Sequence, residues 1–203
     1  MSAPTVKQLQ LWTREPFFAV DQGWLNDAFS VDRAGEALVR WQAGRVTSDP
    51  GLWMGSRQGH VLFWEVARLR FRWGNFDSAL FAALTASVWI EGRREHACRE
   101  FGVCEPEEMV DAMSPYALSP VLMTDADLDA YSALPETITV YRGGTGPEDV
   151  LAKGSSWTLE RAVAEWFADH RPDGILIERQ VRKETLVALF TDRSEHEAVL
   201  PAR

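Results

Sequence analysis

Ile138-Thr139-Val140-Tyr141-Arg142-Gly143-Gly144, Gly154-Ser155-Ser156-Trp157-Thr158 and Glu195-His196-Glu197-Ala198-Val199-Leu200 are the segments whose reading decides the fold. All three lie between Thr137 and Pro201. Before Pro135 the apolar residues recur every three or four positions, as on one side of a helix. Beyond it they alternate, and β-branched and aromatic residues become frequent, as pleated strands favour. Each segment therefore reads as extended, with one polar or charged group at a strand edge: an arginine, a Ser-x-Thr, then a Glu-x-Glu. In that order they describe a cleft suited to an anionic nucleotide and to a developing positive charge.

Between these segments the spacing predicts a strand over Thr137–Tyr141, a glycine-rich turn over Gly143–Pro147 and one helical turn over Pro147–Ala152. Ser156–Leu159 reads as a strand end. Glu160–His170 reads as a helix burying Val163, Trp166 and Phe167, and Arg171-Pro172-Asp173-Gly174 as a turn. Ile175–Gln180, Thr185–Phe190 and Glu197–Leu200 complete the strands.

The preceding residues read as helical. Phe17–Gln42 carries two apolar stretches, and Gly44–Gly59 is a loop rich in glycine. A helix is expected over His60–Trp73, with Arg68, Arg70 and Arg72 on a solvated side rather than at a phosphate. Asp77 or Ser78 caps a helix running to Glu91, another ends near Met113, and Ser114–Pro120 is a loop. The expected class is α+β, with a helical portion over 1–134 and a strand-rich core over 135–203.

Asp125, Asp127, Asp129 and Glu136 fall at liganding positions of a calcium loop. Ala130 occupies the position that needs glycine, and Pro135 blocks the exit helix. The better reading is a helix capped by Thr124, with Leu128, Tyr131 and Leu134 packing inward. Cys98 and Cys104, the only cysteines, match no zinc spacing with His96, and so no metal is expected. Two thiols without a cluster fit a reducing compartment.

With 203 residues, 46% of them apolar, the chain affords a sizeable core in one domain, or a domain with a helical extension. A net charge of -9 and a pI near 5.0 argue against general affinity for nucleic acid. No secretory leader or stretch able to span a bilayer is read, so a cytoplasmic location is expected, with delivery into another cell left open.

Gly143–Pro147 is followed by too short a connection for a dinucleotide-binding crossover and lacks the Gly-Lys-Ser/Thr of a phosphate loop. Ser155 and Ser156 sit outside any Gly-x-Ser-x-Gly elbow. Glu195 and Glu197, two apart on a strand, would enter one site from the same side, with His196 opposite. Paired carboxylates beside a sugar can do acid–base work or stabilise an oxocarbenium-like transition state. The alternative is an exposed, charged strand entry.

Arg142 in Val140-Tyr141-Arg142-Gly143, Ser156-Trp157-Thr158 with the helix after it, and Glu195-x-Glu197 opening a last strand together resemble the R-S-E class of ADP-ribosyltransferases. The resemblance covers the final third of the chain. It implies a split, mainly antiparallel sheet that binds NAD, and transfer of ADP-ribose with release of nicotinamide. Arg142 would hold phosphate and ribose oxygens, and the Gly143 backbone the nicotinamide amide. Ser156 would orient Glu197, with Thr158 bracing the strand and Trp157 stacking on the ligand or packing beneath it. Glu197 would bind the ribose 2′-hydroxyl and stabilise the cation, while Glu195 would serve the acceptor. A protein arginine is the acceptor implied by Glu-x-Glu. Nucleic acid, a small molecule or water are the alternatives, as is a catalytically silent fold used for binding. Trp157 replaces a small residue of the family pattern, and the connection from Arg142 to Ser156 is short for the family.

Overall fold

The computed structural model describes residues 67–68, 71, 74, 76–90, 106–191 and 196–201, and among these every strand lies beyond residue 136, with two short helices set between strands. The chain divides into two compact units, Met1–Ala112 and Met113–Arg203. In the first, Ala67, Arg68 and Phe71 are helical, and α1 (Ser78–Ile90) follows. Asp77 caps α1, its Oδ1 accepting from the Leu80 N–H at 2.9 Å. Nine of its residues are buried, as expected of a helix that is apolar nearly all round.

Arg68 corrects the expectation of a solvated face. It is 4% exposed and paired with Glu108 at 3.2 Å, in α2 (Pro106–Met113). A buried guanidinium needs such a partner, since an uncompensated charge costs several kcal/mol. Arg70, Arg72, Cys98, Cys104, His96 and the two expected helical pieces over 17–42 lie outside the described residues.

The second unit opens with a 3₁₀ turn (Ser114–Tyr116) and α3 (Asp125–Ala133). Thr124 caps α3 in a reciprocal box with Asp127, so the three aspartates favour a helix start instead of converging as a calcium loop. Asp127, 2% exposed, also accepts from the Thr191 N–H and hydroxyl, tying α3 to the end of a strand 64 residues on.

The strands are β1 (Thr137–Thr145), β2 (Ser156–Thr158), β3 (Gly174–Arg182), β4 (Ala188–Phe190) and β5 (Glu197–Val199). They form one antiparallel sheet in the order β3-β1-β2-β5-β4. The class is α+β. Strand β1 runs four residues beyond the expected end, so Gly143 and Gly144 are strand residues and the turn begins at Gly146, whose φ is +108°. Thr185, expected to open a strand, instead ends a 3₁₀ turn over Lys183–Thr185.

Two short helices flank β1. Helix α4 (Glu148–Leu151) sets Leu151 against Gly144, and α5 (Arg161–Asp169) lies over Gly143. A Cβ at Gly143 would strike the Ala164 carbonyl, and one at Gly174 the Ala168 carbonyl one turn later. The helix therefore packs backbone against backbone, through Ala164 and Ala168, both buried. That close approach overturns the expected burial of Trp166 and Phe167, which are 54% and 37% exposed. Only alanine fits under a helix this near the sheet, and the larger side chains turn outward.

Candidate functional site

Strands β1 and β3 pair along all nine residues of each, and β2, β5 and β4 pair along their full short lengths. The two groups are joined by one register pair, Tyr141 with Thr158. Past that point β1 continues from Arg142 to Thr145 without a ladder partner in β2, and the sheet opens into a seam.

Arg142 fills the seam. Its Nη1 donates to the Ser156 carbonyl, and a Cβ at Gly154 would land on its guanidinium. The absence of a side chain at Gly154 is what admits the guanidinium between the strands. A side-chain bond thus replaces the backbone pairing that has lapsed there.

Ser156 carries the second link, its hydroxyl donating to Glu197 Oε1. Register explains how they meet. Thr158 pairs with Glu197 and Ser156 with Val199, so Ser156 and Glu197 are diagonal neighbours on one face. By the same alternation Arg142 belongs to the other face, with Trp157, Ala198 and Leu189. The guanidinium and the carboxylate come from opposite faces and meet at Ser156, one at its carbonyl and one at its hydroxyl. Both side chains and Ser156 are half-buried.

The approach to Glu197 departs from an ideal strand. His196 has φ +39°, a left-handed conformation uncommon outside glycine. Glu195, expected to enter the site from the same side as Glu197, lies outside the described residues. His196 is held on both sides: its carbonyl accepts from the Leu159 N–H at 3.1 Å, and its Nδ1 lies 2.8 Å from Glu160 Oε1.

Trp157 is 3% exposed, its Nε1 donates to the Gly154 carbonyl at 2.7 Å, and the Arg179 guanidinium sits 4.6 Å from its ring centroid. It packs beneath the seam and offers no free face to a ligand. Thr158 is buried, and its hydroxyl accepts from the Glu160 N–H at 2.9 Å, fixing the turn into α5. Gly143 lies under α5 on one face, with its edge toward β2 unladdered.

On α5, Arg161 donates to Glu165 and Glu178 and lies 5.9 Å from the Tyr141 ring centroid. The Glu165 hydrogen bond, more than any other cause, raises its pKa. That flank faces β3, so helical spacing puts Val163 and Phe167 on the flank toward the seam. Trp166 continues it outward, stacked on His170 at 4.1 Å and edge-on to Phe167.

Three residues near the seam received no role from the sequence. Gly154 was legible in principle, as a glycine just before a polar strand. Arg179 and Ser155 were not: their placement depends on the β1–β3 register and on a hydrogen-bond inventory. Ser155 Oγ is buried with no hydrogen-bond partner among the described residues. Among those residues no cluster of three or more His, Cys, Asp or Glu could hold a metal ion, and no helix is long and apolar enough to cross a membrane.

No family model, curated protein or solved structure matches the chain.

Proposed function

We propose that this protein is an NAD-dependent ADP-ribosyltransferase that moves ADP-ribose to a protein side chain, arginine being the expected acceptor, and releases nicotinamide. The observation that carries the reading is the double role of Ser156, whose carbonyl holds Arg142 and whose hydroxyl holds Glu197. Three motif residues far apart in sequence share one contact point. A sheet joined across its middle by a single pair also supports the split sheet of that enzyme class.

In this reading NAD binds as substrate at the seam. Arg142 supplies positive charge for its phosphates, and the open edge of Gly143 supplies backbone groups for the nicotinamide amide. The bond between nicotinamide and ribose breaks, the electron pair leaves with neutral nicotinamide, and positive charge develops on the ribose. Glu197, held by Ser156 before the reaction starts, is pre-organised to stabilise that charge. An acceptor nitrogen then bonds to the ribose carbon and loses its proton, a step assigned to Glu195 or solvent.

The test is nicotinamide release, together with transfer from labelled NAD to protein. Glu197→Gln is expected to lower turnover about 10²–10³-fold, the loss typical of one pre-organised electrostatic group. Ser156→Ala, which frees the carboxylate without removing it, should cost less. Glu195→Gln should impair transfer more than NAD hydrolysis. Wild-type turnover retained in Glu197→Gln would sink the assignment, and no turnover by the native chain would favour a silent binding fold.

A further inference from the structure

Helix α5 begins on a glutamate that does not cap it. Glu160 occupies the N-cap position, and its side chain makes no capping hydrogen bond. Serine, threonine, asparagine and aspartate suit that position better, because their short side chains reach the first free N–H groups. The Glu160 carboxylate is engaged elsewhere, with His196, 36 residues on, whose Nδ1 lies 2.8 Å from Oε1. An ionised carboxylate only accepts, so Nδ1 carries the proton in this contact.

His196 is a residue that has to be held. At φ +39°, a side chain other than glycine persists only where its surroundings over-determine the backbone. Both ties on it come from one turn: Leu159 N–H donates to its carbonyl at 3.1 Å, and Glu160 takes its ring. That turn is itself fixed, since the Thr158 hydroxyl accepts from the Glu160 N–H and Thr158 pairs with Glu197. The end of β2 thus closes a ring of contacts around the residue that leads into β5. Glu197 is the next residue, and its carboxylate accepts from the Ser156 hydroxyl.

We infer that Glu160 is a positioning residue: by holding the His196 ring it fixes the left-handed backbone from which Glu197 enters the site. What Glu197 then does rests on the transferase reading, and what sets it rests on the contacts around His196. Ser156 holds the carboxylate at its tip. Glu160, acting through His196, holds the chain at its root.

Glu160→Ala removes the hold and no cap bond, because the native side chain makes none. The two side chains are 49% and 44% exposed, so the effect is modest. In the full chain, kcat for nicotinamide release should fall about two- to fivefold, the worth of an exposed ion pair, with KM for NAD unchanged. The Leu159 amide, bonded to the His196 carbonyl, should exchange faster by a similar factor. Glu160→Gln keeps an acceptor for Nδ1–H and should restore most of both losses. A purely structural tie would lower the melting temperature and leave kcat of the folded chain as it was. Native kcat in Glu160→Ala therefore overturns the proposal and leaves the transferase, and so does an equal loss in the alanine and glutamine variants. If the native chain releases no nicotinamide, the transferase falls and Leu159 exchange decides. Faster exchange in Glu160→Ala keeps Glu160 as the residue that sets Glu197, and unchanged exchange removes it.

Discussion

Asp127 ties the helix before the sheet to the end of the strand beside Glu197, and removing its carboxylate measures that tie. Four donors converge on it. Thr124 N–H and hydroxyl reach Oδ2 at 2.9 and 2.8 Å, and Thr191 N–H and hydroxyl reach Oδ1 at 2.8 and 2.6 Å. The two hydroxyls can rotate to other acceptors once the carboxylate is gone. The two backbone N–H groups cannot, and each stranded donor costs about 1–2 kcal/mol in a buried setting. Losing one half of the capping box adds about 1 kcal/mol. Asp127→Ala should therefore destabilise the second unit by about 3–5 kcal/mol. Asp127→Asn keeps one oxygen, serves one threonine and turns an N–H toward the other, so about half that loss is expected. Urea denaturation gives the total, and hydrogen exchange of the peptide spanning Leu189 and Thr191 assigns it to the β4 end. A loss below about 1 kcal/mol in the alanine variant would show that the four bonds add nothing to what solvent already provides.

Other outcomes follow from single contacts. Gly143→Ala drives a methyl into the Ala164 carbonyl, and α5 must lift; a loss of about 1–3 kcal/mol in a thermal melt is expected, as for other overpacked sites. Trp166→Ser, at a side chain more than half exposed, should move the same melt by less than about 0.5 kcal/mol. At His196, where φ is +39°, a β-branched Val is expected to cost about 1–3 kcal/mol and to lower nicotinamide release. His196→Gly, which accepts that backbone freely, should keep the fold and lose only the tie to Glu160; equal melting points for the two variants would refute the strain argument.

Local signals were legible wherever one residue type sets one backbone choice. Pro135 marked the change from helical to alternating pattern, Thr124 with Asp127 marked a helix start, and Arg142, Ser156 and Glu197 were each readable as strand-edge groups. What failed required knowing a distant partner. The apolar stripe of α5 named Trp166 and Phe167 as core, because large apolar residues at helical spacing usually are. Gly143 and Gly174, distant from each other in the chain, let the helix approach so closely that Ala164 and Ala168 took that role. Nor does anything in the type of residue 196 announce the positive φ of His196.

The seam itself joins these strands of reasoning. In a fully paired antiparallel sheet, alternation would keep Arg142 and Glu197 on opposite faces, with the strand between them as a barrier. The two side chains share Ser156 only because β1 and β2 stop pairing after Tyr141 and Thr158, and because Gly154 leaves room for the guanidinium. The glycines at 143 and 144 admit a helix on each face of β1, and the bond from Arg142 to the Ser156 carbonyl holds the opened edge in place. A site of this kind needs the sheet to be incomplete at one point. Closing the lapse in the ladder would strengthen the sheet and part the Glu197 carboxylate from the Arg142 guanidinium, two groups that the proposed reaction needs together.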